Sequence, residues 1–326
     1  MSTRSQLLAY LKGAKENWIS GESLSRKIGV SRAAIWKHIR RLKNDGYRIA
    51  SSTKKGYLLY ESSDLLVKEE IQDGLKTVLF GRQDIYHFTV ADSTNLRARA
   101  LAEKGAPEGT VVVAESQTEG RGRRGRIWFS PPREGLYISL ILRPAMPPQD
   151  APKLTLMTAV AVAELLPDLI SVPIQIKWPN DIMVRGKKLA GILTQVSADM
   201  DIMDYAIIGF GINIGNDRNG FPEPLKDSAT SIFLESGVVI RRVCLLRSYL
   251  VSFEKWYTVF RTSGFEPIIK RWQELSGIIG SHVTVSLPDR QKNGEVVGLD
   301  LDGSLLLRDQ EGAIQKISSG EIRPDS

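Results

Sequence analysis

"GRGRRGRIWFSPPREGLYISL", residues 120–140, decides which kind of α/β architecture this chain builds. Its first six residues match the G-x-G-x-x-G fingerprint of dinucleotide-binding folds. In those folds a helix follows the glycine turn and an acidic residue stands about twenty positions on. Neither condition is met here: Pro131 and Pro132 precede "GLYISLILRP", which reads as a strand, and the region twenty residues on is "AMPPQ". A doubly wound dinucleotide fold is therefore excluded, and no G-x-x-x-x-G-K-[ST] phosphate loop occurs in the chain. What remains is a strand, an arginine-glycine loop and a strand. The glycines let the backbone close around a ligand, and the forked, permanently charged guanidinium groups suit phosphate oxygens. A solvated loop or a nucleic-acid patch has the same composition, so the neighbouring segments have to decide.

Working outward, "DSTNLRARALAEKG" has a helix-capping start and a terminal Gly105, with Leu96, Ala100 and Leu101 on one side. "GTVVVAESQ" is a β-branched strand, and "KLTLMTAVAVAELLPDL" is a buried helix stopped near Pro167. "IQIKWPNDIMV", "KKLAGILTQV" and "YAIIGFGINIG" are strands punctuated by Gly or Pro, and "RRVCLLRSYLVSFEKWYTVF" is a long helix. Strands and helices are mixed without regular alternation, which predicts an α+β fold with helices against a sheet.

Two segments of this body carry chemistry. In "KWPNDIMVRGKKLAGIL" Lys177, Asn180 and Asp181 surround a Trp-Pro bend, and Lys188 opens an apolar strand seven residues after Asp181. Such a lysine is either a snorkelling surface residue or an electrostatic stabiliser of an anionic reacting centre. In "GFGINIG" Asn213 is one polar side chain ending an apolar strand, which is also a common turn residue.

The N-terminal segment differs in charge and pattern. Residues 1–60 hold 13 Lys and Arg against 3 Asp and Glu, a balance of +10, which leaves −3 for the rest of a chain whose net charge is +7. In "ISGESLSRKIGVSRAAIWKHIRRLKNDGYRI" Ser20 caps a helix with Leu24 and Ile28, Gly29 and Val30 make a short turn, and Ser31 caps a second helix. Ile35, Ile39 and Leu42 form the buried stripe of that second helix. Arg32, Trp36, Lys37, Arg40, Arg41 and Lys43 lie off it, a cationic face suited to phosphates and base edges. "YRIASSTKKGYLLY" then predicts a hairpin tipped by Lys54 and Lys55, which is what a wing offers to a DNA backbone. A three-helix protein-interaction module with a solvated basic face is the alternative.

The bulk numbers narrow the chemistry. A length of 326 residues predicts two or three domains, and 42% hydrophobic with 25% charged residues is the composition of a soluble globular protein. No apolar run is long enough to span a membrane and no secretory signal is visible at the start, so a cytoplasmic protein is expected. Cys244 is the one cysteine and reads as a small hydrophobe in a helix; His38, His87 and His282 are too scattered for a zinc cluster or a serine triad. Chemistry must therefore run on Lys, Arg, carboxylate or amide groups. The last fifty residues show period-2 strands broken by "DRQKNG", "DGS" and "DQEGA", which predicts a small antiparallel barrel.

Taken in order behind the winged helix-turn-helix, "DSTN", "ESQTEGRGRRGRIWFSP", "KWPNDIMVRGKKLAGIL" and "GFGIN" closely resemble the bacterial biotin–protein ligases that also repress the biotin operon. The resemblance spans nearly the whole chain, and the Arg-Gly loop and the Lys-Trp-Pro-Asn-Asp segment are its specific parts. It implies a winged helix-turn-helix over 1–64, a catalytic mixed sheet with helices of the class II synthetase-like type over 65–275, and an SH3-like β-barrel over 276–326. It implies two steps: biotin and ATP, with magnesium on the phosphates, give biotinyl-adenylate, and a lysine of a biotin carboxyl carrier protein or domain then takes the biotinyl group. It also implies a homodimer that binds operator DNA when the adenylate is bound.

Carried onto this sequence, the resemblance assigns biotin to Ser93, Thr94, Asn95, Gln117, Arg121, Gly122, Arg123, Lys188 and Gly191. The nucleotide falls to Arg121, Arg123, Arg124, Arg126, Trp128, Lys177, Asn180 and Asn213. Lys188 and Arg123 are the expected catalytic cations, Asp181 orients or deprotonates the incoming lysine, and no protein ligand is assigned to a metal. Ser31, Arg32, Trp36, Lys37, Arg40, Lys54 and Lys55 are the expected DNA contacts. A lipoate or octanoate ligase of related fold and a non-catalytic biotin-sensing repressor are the rival expectations.

Overall fold

A computed structural model of the protein describes residues 3–14, 17–61, 64–287 and 289–324. The chain divides into two compact units, Met1–Asp73 and Gly74–Ser326.

In the first unit, helices α1 (Thr3–Gly13), α2 (Gly21–Ile28) and α3 (Arg32–Asn44) precede a hairpin of β1 (Arg48–Ser52) and β2 (Gly56–Glu61) and a short α4 (Lys68–Gln72). The caps read from the sequence form as written. Ser20 Oγ accepts from the Ser23 amide at 3.0 Å and Ser31 Oγ from the Ala34 amide at 3.2 Å, while Gly29 ends α2 at φ +76°. Leu7, Leu11, Leu24, Ile35, Ile39 and Leu42 meet in one apolar cluster under the helices. Glu70 of α4 is almost wholly buried, accepting from the Tyr47 hydroxyl at 2.7 Å and pairing with Lys12 at 2.9 Å. These bonds tie residues beyond 64 to the helical module.

The second unit is built on a seven-stranded mixed sheet in the order β3-β4-β5-β9-β8-β7-β6. Its strands are β3 (Ile85–Phe88), β4 (Val111–Ala114), β5 (Gly135–Leu142), β6 (Ile174–Lys177), β7 (Asp181–Val184), β8 (Lys187–Asp199) and β9 (Ile202–Asn213). Only β3 and β4 run parallel. Every residue of β5 is buried, so both faces of the sheet are covered, and its sequence accordingly runs apolar without alternation. One cover is α5 (Thr94–Glu103), which packs on β4, β5 and β9. The others are α6 (Ala151–Leu165), apolar nearly all round, and α8 (Arg242–Ser263) and α9 (Glu266–Ser276), which pack on α6. The short α7 (Ile232–Ser236) starts at Ser231, whose hydroxyl accepts from the Leu234 amide at 3.1 Å.

Three sequence expectations change. The buried face of α5 is Thr94, Asn95, Ala98 and Ala102, whereas Ala100 is exposed and Leu96 and Leu101 are only half-buried. The sheet takes the polar start of the helix because Thr94 and Asn95 find hydrogen-bond partners there. Cys244 of α8 is exposed, and its neighbours Arg242 and Val243 are buried instead. The final strands β10 (His282–Ser286), β11 (Gln291–Leu299), β12 (Leu305–Arg308), β13 (Ile314–Ile317) and β14 (Glu321–Pro324) form an antiparallel sheet in the order β13-β12-β11-β10-β14. Within it the polar stretch "QKNG" belongs to β11, paired to β10, rather than to a turn.

Candidate functional site

A cavity of about 420 Å³ opens over the central sheet of the second unit, and every biotin-side and nucleotide-side residue named from the sequence lines it, as does Asp181. Five separate segments bring them there.

The floor is a chain of hydrogen bonds at the start of α5. Gln117 Oε1 accepts from the Thr94 amide at 2.8 Å and the Thr94 hydroxyl at 3.2 Å, and Gln117 Nε2 donates to Ser130 Oγ at 2.8 Å. Ser139, fully buried on β5, donates to Asn95 Oδ1 at 2.6 Å and lies 2.9 Å from Thr94 Oγ1. Asn95 Nδ2 donates to Gln195 Oε1 at 2.9 Å and the Leu193 carbonyl at 3.3 Å. Both amide hydrogens and the amide oxygen of Asn95 are thus spent inside the protein, so it braces the floor. Ser93 is buried beside it and holds its amide to Asp92 Oδ1 at 2.6 Å.

The Arg-Gly loop arches over one side. Arg121 bridges to Ile127, and the Gly122 amide donates to the Arg126 carbonyl at 2.7 Å, which closes the loop on itself. Arg124 sits at the tip with φ +55°, a left-handed conformation costly for a residue with a Cβ. Arg123 turns inward, donating to Asn180 Oδ1 at 3.3 Å. Burial and the neighbouring Arg124 pull its pKa below the ordinary arginine value, against the opposing pull of Asp181 and Glu321. It is a half-buried cation short of anions. Arg126 turns outward instead and forms a two-pronged ion pair with Glu321 at the start of β14, which raises its pKa.

Opposite stands the β6–β7–β8 corner. Lys177 and Asp181 pair across the bend that holds the cis Trp178–Pro179 peptide, and Trp178 Nε1 donates to the Gly303 carbonyl at 3.2 Å. The β7–β8 turn is the two residues Arg185 and Gly186, both at positive φ, the geometry of the tightest hairpins. That turn places Lys188 next to Asp181, with Nζ to Oδ1 of 2.7 Å. Lys188 Nζ also lies 5.5 Å from the centroid of the Trp128 ring, within cation–π range. Asn213 at the end of β9 donates to the Thr230 carbonyl at 2.9 Å and is a supporting residue of the 221–231 segment as well as a wall.

Gly209 and Gly211 line the cavity and were missed by the sequence reading. A Cβ on Gly209 would stand 2.1 Å from Asn95 Oδ1, and one on Gly211 2.5 Å from Trp128 Nε1. Their signal was present: glycines two apart on a strand bare one face of it. Trp128 Nε1 itself is shielded from water with no hydrogen-bond partner among the described residues, a donor left over in the cavity wall. Glu321, Phe221 and Ala229 also line the cavity, and nothing local in their sequence marks them.

In the first unit Ser31, Arg32, Trp36, Lys37, Arg40, Lys54 and Lys55 are all exposed, the first five on α3 or its cap and the two lysines in the β1–β2 turn. Lys55 Nζ lies 5.8 Å from the centroid of the Trp18 ring.

Anion-seeking arginines, a paired lysine and an amide-lined floor on one mixed sheet define a ligase-type site, in a chain that also carries a helix-turn-helix. The Biotin/lipoate A/B protein ligase family model matches residues 87–213, an HTH domain model residues 3–58, and the Biotin protein ligase C terminal domain model residues 278–323. The chain belongs to the biotin/lipoate protein ligase family, in its bifunctional ligase/repressor branch. It is 42% identical to Bifunctional ligase/repressor BirA of Bacillus subtilis over 98% of each chain. It is 34% identical to that of Escherichia coli over 97% of this chain and 95% of that one. The biotin protein ligase of Aquifex aeolicus, solved with biotin and ATP, superposes with a TM-score of 0.64 at 31% identity, covering 74% of this chain and 99% of that one.

Proposed function

We propose that this protein is an ATP-dependent biotin–protein ligase that also acts as a biotinyl-adenylate-dependent repressor of biotin genes. One observation carries the catalytic half: Arg123, half-buried and short of anions, faces the same cavity as Lys188, which is ion-paired with Asp181. A pocket so charged suits two reacting anions, a carboxylate and a triphosphate.

Ser93, Thr94 and Gln117 take the biotin head group, and Asn95 and Ser139 hold them in register. Arg121, Gly122 and Arg123 close over the carboxylate and the phosphates, and Gly191 leaves room beside Lys188. As the biotin carboxylate attacks the α-phosphorus of ATP and pyrophosphate departs, charge grows on oxygens facing Arg123 and Lys188; those fixed cations lower the barrier most where it grows. Trp128, Lys177, Asn180, Asn213, Arg124 and Arg126 serve the nucleotide side, and magnesium travels on the phosphates of that substrate. A lysine of a biotin carboxyl carrier protein then attacks the mixed anhydride. Asp181 faces that step, but its ion pair with Lys188 favours a role in positioning the lysine.

The division of labour follows 1–64 for DNA, with residues 65–73 packed in the same unit, the remainder of 65–275 for catalysis and 276–326 for closing the site, through Glu321 and the Gly303 carbonyl. The repressor half rests on the exposed cationic face of α3, and operator symmetry favours a homodimer on DNA. No described helix is long and apolar enough to cross a membrane. A cytoplasmic protein has access to ATP, carrier protein and DNA, and that is the location we infer.

The test is ATP–pyrophosphate exchange with biotin, lipoate and octanoate, followed by label transfer to a carrier domain. Biotin-dependent exchange and transfer are expected. Exchange with lipoate and none with biotin overturns the substrate, and biotin binding with no exchange leaves a sensor without catalysis.

A further inference from the structure

We propose that Trp36 reads the 5-methyl group of a thymine in the major groove, a specificity contact that rests on the operator-binding role given above for α3. Arg32, Trp36 and Arg40 stand at i, i+4 and i+8 and so form one ridge along the helix, about a quarter-turn round from the buried stripe of Ile35, Ile39 and Leu42. Trp36 is 56% exposed at the centre of that ridge. The Arg40 guanidinium lies 5.7 Å from its ring centroid and steadies the indole without covering it. An indole left in water midway along the face is unspent apolar surface, and its surroundings say what fits it. Lys37, Arg41 and Lys43 share the exposed side, and α3 holds no carboxylate.

An apolar protein partner would have to strip water from all these cations to reach the ring, at a cost no single side chain returns. A DNA duplex does not impose that cost. Its phosphates and guanine edges take the cations, and the thymine methyl is the one apolar group on the major-groove edge of the bases. Trp36 also lies in the N-terminal half of α3, the end of a recognition helix that meets base edges, with Ser31 capping the helix N-terminus where a phosphate is favoured.

The experiment uses the full chain with biotin and ATP. A duplex is first selected from a random-sequence pool by the wild-type protein. Each thymine of it is then replaced singly by uracil, which removes only the methyl, and binding of wild type, Trp36→Ala and Trp36→Gln is measured by fluorescence anisotropy. At one position in each half-site uracil is expected to weaken wild-type binding about fourfold, the worth of one buried carbon. The same uracil should leave both variants unchanged. Uracil without effect on wild type at every position, or equally harmful to wild type and variants, overturns the thymine contact while DNA binding stands. Failure of the wild-type protein to select any sequence overturns the operator role, and with it this contact. The wild-type scan needs no folded variant.

Discussion

The Lys188 ammonium stands 2.7 Å from the Asp181 carboxylate, on neighbouring strands joined by a two-residue turn. The pair separates two roles for Asp181. If it positions Lys188, Asp181→Asn slows ATP–pyrophosphate exchange, about tenfold for one mispositioned charge. If it deprotonates the carrier lysine, exchange survives and only label transfer slows. The geometry predicts the first outcome. Lys188→Ala should cost more, about 10²–10³ in exchange, as for loss of a donor aimed at growing charge. Its circular dichroism and Tm should stay those of wild type.

The Arg126–Glu321 ion pair joins the Arg-Gly loop to β14. With the Arg126 side chain 65% exposed, it contributes little to stability, under about 1 kcal/mol. Its effect should appear in the loop. Glu321→Gln is expected to leave Tm unchanged while trypsin cuts within residues 120–126 several times faster. Unchanged cleavage would remove Glu321 as the anchor.

Gly211→Ala tests the nucleotide wall. The new methyl falls on Trp128 Nε1 and must push the indole out of place. Calorimetry should show ATP affinity reduced by more than about tenfold, the equivalent of 1.4 kcal/mol, with biotin affinity less affected. Equal losses for both ligands would place Trp128 on the biotin side.

Removing residues 1–73, the whole first unit, should abolish operator binding and leave exchange and transfer largely intact. Gly74–Ser326 is a compact unit by itself and supplies every residue lining the cavity. Retained sequence-specific DNA binding by the truncated protein would refute the assignment of α3.

Glu164 sets an acid limit. Burial works to raise its pKa, but hydrogen bonds from Lys255, Trp256 and Arg271 overcome that and hold the carboxyl below the ordinary glutamate value of 4.5. A depressed carboxylate stabilises the fold fully above its unfolded pKa, and this is lost as pH falls through the folded value. Thermal unfolding of wild type should therefore drop more steeply below about pH 4.5 than that of Glu164→Gln.

The sequence by itself determined the local elements and their order. Ser20, Gly29 and Ser31 marked the helix-turn-helix because caps and left-handed turns are one-residue decisions, and Pro131 with Pro132 ruled out a dinucleotide fold on the same local grounds. The arginines of the 120–126 loop and the Lys177–Lys188 corner were legible because their motifs are compact and their chemistry is charged, whereas Phe221, Ala229 and Glu321 reach the same cavity with no local mark. Tertiary structure alone decided their partners. Ser139 and Gln195 join Asn95 only because β5 and β8 flank β9 in the sheet, and Glu321 meets Arg126 across almost two hundred residues. It also chose the polar face of α5 over Leu96 and Leu101, since a buried face is set by which neighbours can satisfy it, and no periodicity within the helix carries that information.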